Sequence, residues 1–222
     1  MNFKTFCEAR NNKTLISVDI QPEYYYKATK VGGFNDQLLS NFIKELNSNI
    51  FNQKIVFYNG ADTLDMITEN DYKMWLLENG LKEDKLDEIL FYDKGYAFFR
   101  FCMDSGIYED DIVLLVKFMQ ANNINDSREI KNSNLWDKFI QEYNKQELRE
   151  LLEDADDCIN IPDLMDWLRN NIKNKNIILI GGGANECYKE VEIALKAMDI
   201  KYTKNEKLIY ETKGLTHAKF TK

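Results

Sequence analysis

Three residues that could act together in covalent catalysis, Asp19, Lys94 and Cys187, each follow a short apolar run of the sequence. Asp19 lies in TLISVDI, Lys94 comes just after ILFY, and Cys187 comes after IILI and three glycines. Short apolar runs of this kind predict buried β-strands. Because the carboxyl ends of parallel strands lie along one edge of a sheet, we expect the three side chains to converge on one pocket.

The expected chemistry is nucleophilic attack by Cys187. The glycine turn before this cysteine predicts the start of a helix, whose dipole lowers the pKa of a thiol in its first turn. Lys94 would favour the thiolate through its positive charge, and Asp19 would accept the thiol proton and later donate one to the leaving group. Backbone N–H groups of the turn would bind an oxyanion, which contributes roughly 3–4 kcal/mol per well-placed donor.

Motifs around these residues resemble those of the isochorismatase-like cysteine hydrolases, the superfamily that includes nicotinamidases and N-carbamoyl amide hydrolases. VDIQPEY is similar to the family's opening motif, in which Asp-x-Gln is followed by an aromatic residue. DKGYAFF is similar to its lysine motif, and GGGANEC is similar to its Gly-x5-Cys motif. The matching residues are Asp19, Gln21, Tyr24, Lys94, Tyr96, Ala97, Phe98, Gly181 and Cys187.

The resemblance implies the catalytic roles given above and the hydrolysis of a small amide or a related C–N substrate. It also implies a cis peptide bond between Gly182 and Gly183. We expect the substrate or the oxyanion to be bound by residues beside the three catalytic ones. These binding residues are Gln21, Tyr24, Tyr96, Phe98, Gly182 and Gly183.

No metal and no cofactor are expected at this site. The single histidine, His217, lies in a polar tail, so a histidine-based zinc site would have too few ligands. The resemblance points the same way, because the histidines of metal-binding nicotinamidases are absent. The expected partner is therefore a small-molecule substrate.

Apolar runs alternate with amphipathic helical patterns, which predicts an α/β fold with a doubly wound, mainly parallel sheet. We expect a single three-layer α/β/α, Rossmann-like domain over 1–222, with a helical insertion over 96–160. A helix capped by Asn35 should follow the first strand. The predicted strands cover 14–20, 54–58, 89–92 and 177–180, with one or two late strands at 200–203 and 207–211.

The composition predicts a folded cytoplasmic protein and disfavours nucleic-acid binding, without excluding a local basic groove. Hydrophobic residues make up 44% of the 222 residues, whereas the net charge of −8 disfavours a nucleic-acid surface. No apolar run approaches the roughly 18 residues that span a membrane. The N-terminus lacks the apolar core of a secretory signal. The 4 cysteines show no CxxC spacing and are expected to be free thiols in a reducing cytosol.

The sequence says less about the organism of origin and the oligomeric state. The abundance of Asn, Lys and Ile suggests an AT-rich genome, such as that of a bacterium or a phage. A phage-encoded chain would work in the cytoplasm of the bacterial host cell. The sequence leaves a homo-oligomer open.

Two other functions remain open. A non-catalytic binding protein could use the same fold, with Cys187 as an inert buried thiol and the helical insertion as a partner surface. A Mg²⁺-dependent nuclease or phosphatase could instead use carboxylates at the same edge. A nucleotide site is disfavoured, because the glycine turn fits neither GxGxxG nor GxxxxGK[ST]. The carboxylates of the magnesium hypothesis are Asp19, Glu23, Asp62 and Asp65.

Overall fold

The computed structural model describes residues 12–22, 24–25, 34–58, 60, 67–93, 108–124, 134–144, 161–184 and 187–210. Its strands are β1 (Thr14–Val18), β2 (Gln53–Tyr58), β3 (Ile89–Asp93), β4 (Ile177–Gly182) and β5 (Tyr202–Tyr210). Its helices are α1 (Asp36–Asn47), α2 (Glu69–Glu78), α3 (Glu83–Leu86), α4 (Glu109–Ala121), α5 (Leu135–Tyr143), α6 (Ile161–Asn171) and α7 (Cys187–Ala197).

The described strands form one parallel sheet in the order β3-β2-β1-β4-β5. From β1 the chain adds β2 and β3 on one side, and later adds β4 and β5 on the other. The direction of winding therefore changes between β1 and β4, which is where open α/β sheets bind their ligands. The predicted fold class, a doubly wound and Rossmann-like α/β fold with a parallel sheet, is confirmed.

The central strands are stable because they bury apolar side chains on both faces. Every residue of β1 and β2 is buried. On one face, Leu15 and Val56 belong to a cluster that also contains Phe42 of α1 and Trp75 of α2. Full burial of one such side chain contributes about 1.5–3 kcal/mol. The sheet is thus held by the same apolar runs that predicted it.

The two helices that cover this face begin at side-chain caps. The Asn35 carboxamide oxygen accepts the N–H of Leu38 at 2.9 Å, so the predicted cap of α1 is confirmed. Before α2, the side chains of Thr68 and Asp71 each accept the backbone N–H of the other. Such caps satisfy donors that have no partner within the helix, and each is worth about 1 kcal/mol.

Several strand boundaries differ from the prediction. β1 ends before Asp19, because this residue has a φ of 49° and leaves the extended conformation. β2 begins one residue earlier, at Gln53, and β3 ends one residue later, at Asp93. β4 continues past the apolar run as far as Gly182.

The one or two predicted late strands form one strand, β5, whose pairing with β4 shifts in register between Leu179 and Gly181. β5 lies at the edge of the described sheet, and this position accounts for the exposure of its polar middle.

The described residues form two compact units. The first contains the sheet, α1, α2, α3 and the start of α7, and the second contains α4, α5, α6 and residues 190–200. In the second unit, Phe118, Phe139 and Tyr143 form an aromatic cluster, with 5.1 Å between the ring centres of Phe118 and Phe139. The expectation of a single domain with an insertion over 96–160 stays a prediction.

None of the described helices is both long enough and apolar enough to cross a membrane. The longest of them, α4, has 13 residues, whereas a crossing takes about 20.

An ion pair between a buried lysine and a half-exposed glutamate lies at the amino end of the sheet. Lys54, in the second position of β2, has a side chain that is 1% exposed, and its ammonium lies 2.7 Å from the Glu88 carboxylate. Lys85 binds the other oxygen of the same carboxylate at 2.5 Å. The hydrogen bonds from Lys54 and Lys85 lower the pKa of Glu88 from its usual value of 4.5.

We expect this ion pair to make stability depend on pH. A carboxylate whose pKa is lowered by folding stabilises the protein above its unfolded pKa, and this contribution is lost as the pH falls through the folded value. The wild type should therefore exceed Glu88→Gln in free energy of unfolding near neutral pH. That difference should shrink below pH 4.5.

Urea unfolding at several pH values between about 3 and 7 measures this difference. The matched control is Asp84→Asn, which removes an exposed carboxylate of α3 and should follow the wild type. A constant difference between wild type and Glu88→Gln over this range would contradict the assignment.

Candidate functional site at the carboxyl ends of β1 and β4

Asp19 lies in the middle of the carboxyl edge of the sheet. Val18, the last residue of β1, pairs with Gly181 of β4, so Asp19 comes next to the glycine turn. Asp19 is 1% exposed. Its φ of 49° falls in the left-handed region, which aspartate tolerates better than most residues. A carboxylate is thus held inside the protein where the winding direction changes.

Two tyrosine hydroxyls hold the backbone that carries this carboxylate. Tyr210, the last residue of β5, donates to the carbonyl oxygen of Asp19 at 2.6 Å. Tyr72 of α2 donates to the next carbonyl, that of Ile20, at 2.5 Å. The N–H of Asp19 donates to the carbonyl of Phe57 in β2 at 3.0 Å. Three separate elements therefore fix the chain where it leaves β1.

Asp19 also acts on Tyr72 through its charge. Burial raises the pKa of Tyr72 well above its usual value, and the negative charge of Asp19 raises it further. Tyr72 therefore keeps its proton near neutral pH and remains a donor to Ile20. The effect also places the Asp19 charge close enough to be felt by the phenol across a medium of low polarity.

Each of the three glycines at the end of β4 and directly after it occupies a position that a larger residue would strain. Gly181 has a φ of 132°, and a Cβ there would lie 2.1 Å from the carbonyl oxygen of Val18. A Cβ on Gly182 would lie 1.6 Å from the ring of Tyr210, which occupies that space. Gly183 has a φ of 63°. Only glycine permits these close approaches and left-handed angles without strain.

The expected cis peptide bond between Gly182 and Gly183 is wrong, because the described residues contain no cis peptide bond. Gly182 is still part of β4 and pairs with Tyr210 of β5. The positive φ angles of Gly181 and Gly183, on either side of it, turn the chain instead. The oxyanion role of Gly182 and Gly183 stays a prediction.

Tyr210 is the residue that the sequence analysis missed. Its ring lies on Gly182 and stacks on Phe34, with 5.1 Å between the ring centres. Its carbonyl accepts the N–H of Ala184 at 3.1 Å, in the loop that leads to α7. The only signal was an aromatic residue at the end of the last strand. Since 191 positions separate it from Asp19, sequence spacing could not pair the two.

Cys187 is the first residue of α7, in agreement with the predicted helix start. It forms no disulfide bond within the described residues, and it is 6% exposed. The N–H of Tyr188 donates to the carbonyl of Gly183 at 3.2 Å, which ties the helix start to the glycine turn. The start of a helix favours the thiolate form of a cysteine in its first turn. The position of Cys187 therefore fits a nucleophile.

Gln21 and Tyr24, two predicted binding residues, continue from the end of β1. Gln21 is fully buried, and its carbonyl accepts the N–H of Tyr25 at 3.1 Å. Tyr24 is partly buried and packs against the core cluster. The Tyr25 hydroxyl donates to the Asp36 carboxylate at 2.5 Å, which attaches this segment to the first turn of α1. The Gln21 side chain therefore belongs to the interior rather than to an open surface.

The other predicted site residues, Lys94, Tyr96 and Phe98, lie outside the described residues. β3 ends just before them at Asp93, whose carboxylate accepts the N–H of Gly60 at 3.1 Å. In the sheet, β3 lies two strands from β1, a separation of about 10 Å. The role of Lys94 therefore stays a prediction.

The described residues also give no basis for assigning a metal site. Within them, no group of three or more His, Cys, Asp and Glu side chains is placed to hold an ion. Three carboxylates of the magnesium hypothesis, Glu23, Asp62 and Asp65, lie outside the described ranges. That hypothesis stays a prediction.

Comparisons with known proteins found no match for this chain among protein-family models, curated proteins or solved structures. The resemblance to isochorismatase-like hydrolases therefore rests on its three short motifs alone. What it implies about activity is a proposal.

A double-mutant cycle tests the contact between Gly182 and Tyr210. We expect Gly182→Ala to lower the free energy of unfolding by about 1–3 kcal/mol or more, because the added methyl would displace the Tyr210 ring. Tyr210→Ala removes that clash. The loss in free energy of unfolding of the double variant, measured in urea, should therefore be smaller than the sum of the two single losses by more than about 1 kcal/mol.

Gly181→Ala is the matched control for this cycle, because its methyl would meet the Val18 backbone rather than a side chain. Its loss should add to that of Tyr210→Ala. Additive losses for Gly182→Ala and Tyr210→Ala, or the same coupling for both glycines, would contradict the contact.

Proposed function

We propose that this chain is a metal-independent cysteine hydrolase that cleaves a small amide or related C–N bond, with Cys187 as nucleophile and Asp19 as acid–base group. The proposal rests on the arrangement of three neighbouring features. A buried carboxylate lies beside the glycine turn that leads to a buried thiol at a helix start. A base, backbone N–H donors and a nucleophile thus follow one another at the edge where this fold binds ligands.

In the proposed reaction, Asp19 takes the proton of the Cys187 thiol, and the thiolate attacks the carbonyl carbon of the substrate. A C–S bond forms, and the C–N bond breaks as Asp19 returns the proton to the leaving amine. Water that is deprotonated by Asp19 then cleaves the thioester and frees the thiol. Lys94 would stabilise the thiolate, and the N–H groups of Gly182 and Gly183 would stabilise the oxyanion.

The fixed position of Asp19 supports its role as acid–base group. Proton transfer is efficient when the base is already held at the right distance and angle. The hydroxyls of Tyr210 and Tyr72 hold two successive carbonyls at this point of the chain. With 1% exposure, Asp19 is also shielded from competing water.

A non-catalytic binding protein on the same fold is the second candidate, and one observation favours it. The Tyr210 ring covers Gly182 on the side where a side chain would stand. Packing alone then accounts for this glycine, and no catalytic explanation is needed for it. On this reading Cys187 is an ordinary buried thiol.

The pH dependence of Cys187 alkylation distinguishes the two candidates. In a background in which Cys7, Cys102 and Cys158 are replaced by alanine, Cys187 is the sole thiol. Its reaction with iodoacetamide can be followed from about pH 5 to 10, with a urea-unfolded sample as reference. An activated nucleophile should react with a midpoint below about 8.5, and an inert buried thiol with a midpoint at or above that value.

Activity provides the second measurement. For any small amide from which the wild type releases ammonia, Cys187→Ala and Asp19→Asn should each lower kcat/KM by about 100-fold or more. Asp84→Asn, an exposed site on α3, should leave kcat/KM unchanged. Full activity in Cys187→Ala would contradict the hydrolase. A midpoint at or above the ordinary thiol value, with no amide cleaved, would favour the binding protein.

A further inference from the structure

A cavity lies at the amino end of the sheet, on the edge opposite to Asp19. It has a volume of about 420 Å³, within the range of small-molecule sites. Its walls come from the start of β2, the approach to β3 and the approach to β4. The polar residues that line it are Asn49, Asn52, Gln53, Lys54, Asp87, Glu88 and Lys173.

Lys54 is the unusual member of this lining. Its side chain is 1% exposed, although lysine is almost never buried without strong partners. An ammonium has three N–H donors, and the structure gives this one a single acceptor among the described residues, Glu88 at 2.7 Å. A buried charge is costly unless its donors are satisfied. A further anionic acceptor at this point would complete the site.

Glu88 is able to share Lys54 with such an acceptor. Its carboxylate is 43% exposed, and its other oxygen binds Lys85 at 2.5 Å. If a ligand carboxylate approached Lys54, Glu88 would still retain Lys85 as its counter-ion. The Glu88 carboxylate can therefore move away from Lys54 without becoming an unpaired charge.

The wall behind Lys54 is fixed by hydrogen bonds. Gln53 is 5% exposed, and its side-chain oxygen accepts the hydroxyl of Thr14 at 3.2 Å and the N–H of Lys173 at 3.0 Å. These bonds join the beginnings of β1 and β2 to the segment before β4. A wall that is held in place in this way favours binding, because less ordering is needed when a ligand arrives.

The charges around the cavity decide the class of ligand. Lys54 and Lys173 line the cavity together with Asp87 and Glu88, and Lys85 already neutralises Glu88 through its other oxygen. A positive side chain, Lys54, and an exposed negative one, Asp87, are therefore available for ligand groups of opposite charge, and a multiply charged anion such as a phosphate would be repelled by Asp87. We propose that the cavity binds a small zwitterion, a free polar amino acid, with its carboxylate on Lys54 and its ammonium on Asp87. The amides of Asn49 and Asn52 suit a polar side chain. This site is independent of Cys187 and Asp19.

The probe for this proposal is L-glutamine, titrated into the full chain while amide shifts are followed by ¹H–¹⁵N NMR. We expect saturable shifts at Gln53 and Lys54 with a Kd below about 1 mM. N-acetyl-L-glutamine lacks the ammonium, and L-glutaminamide lacks the carboxylate. Each should bind about tenfold to a hundredfold more weakly, because one charged hydrogen bond is lost.

Two variants test whether Lys54 and Asp87 contact the ligand. Lys54→Met keeps the length of the side chain but removes the ammonium, and Asp87→Asn removes one exposed negative charge. Both should weaken L-glutamine about tenfold or more. Asp84→Asn, which removes a charge outside the cavity, should bind like the wild type.

Three results would overturn the proposal. They are the absence of saturable shifts up to about 20 mM L-glutamine, binding of either analogue as tight as that of L-glutamine, and unchanged binding in Asp87→Asn. If Lys54→Met does not fold, Asp87→Asn and the analogues still decide the matter. Because L-glutamine and its analogues are themselves small amides, the titrations are repeated in Cys187→Ala, in which Cys187 cannot cleave them and binding at this cavity should be unchanged.

Discussion

The hydrogen bond from the Tyr210 hydroxyl to the Asp19 carbonyl joins the last described strand to the first, across β4. β5 and β1 are two strand spacings apart, or about 10 Å. A tyrosine can cover that distance only if its ring passes directly over the intervening strand. The ring does so at Gly182, which explains why no side chain stands there.

The rest of the site follows from this crossing. Because the Asp19 carbonyl is held by Tyr210 and the next carbonyl by Tyr72, the chain leaves β1 in a fixed left-handed turn. The Tyr210 backbone carbonyl accepts the N–H of Ala184, three positions before the helix that begins with Cys187. Tyr210 thus contacts the chain at Asp19 through its side chain and the end of the glycine turn through its backbone.

The sequence predicts those parts of the fold in which burial and local chemistry act alone. Apolar runs located every described strand, and Asn35 marked the start of α1. The sequence does not predict where a strand stops when a distant partner decides it, as Tyr210 does for the turn at Asp19. At Gly182 the sequence leaves two explanations open, because a glycine required by a crossing ring looks the same in a motif as a glycine required by an oxyanion.

If packing explains the glycines, the case for catalysis depends on Asp19 and Cys187. A residue needed only for its φ of 49° would most simply be glycine, or asparagine, which adopts the left-handed region without carrying a charge. Aspartate at 1% exposure also places a carboxyl group in the protein interior, at the switch point of the α/β sheet. Buried ionisable groups at such a position are characteristic of functional sites. The carboxyl group of Asp19, more than the glycine motif, is therefore the feature that favours a catalytic edge.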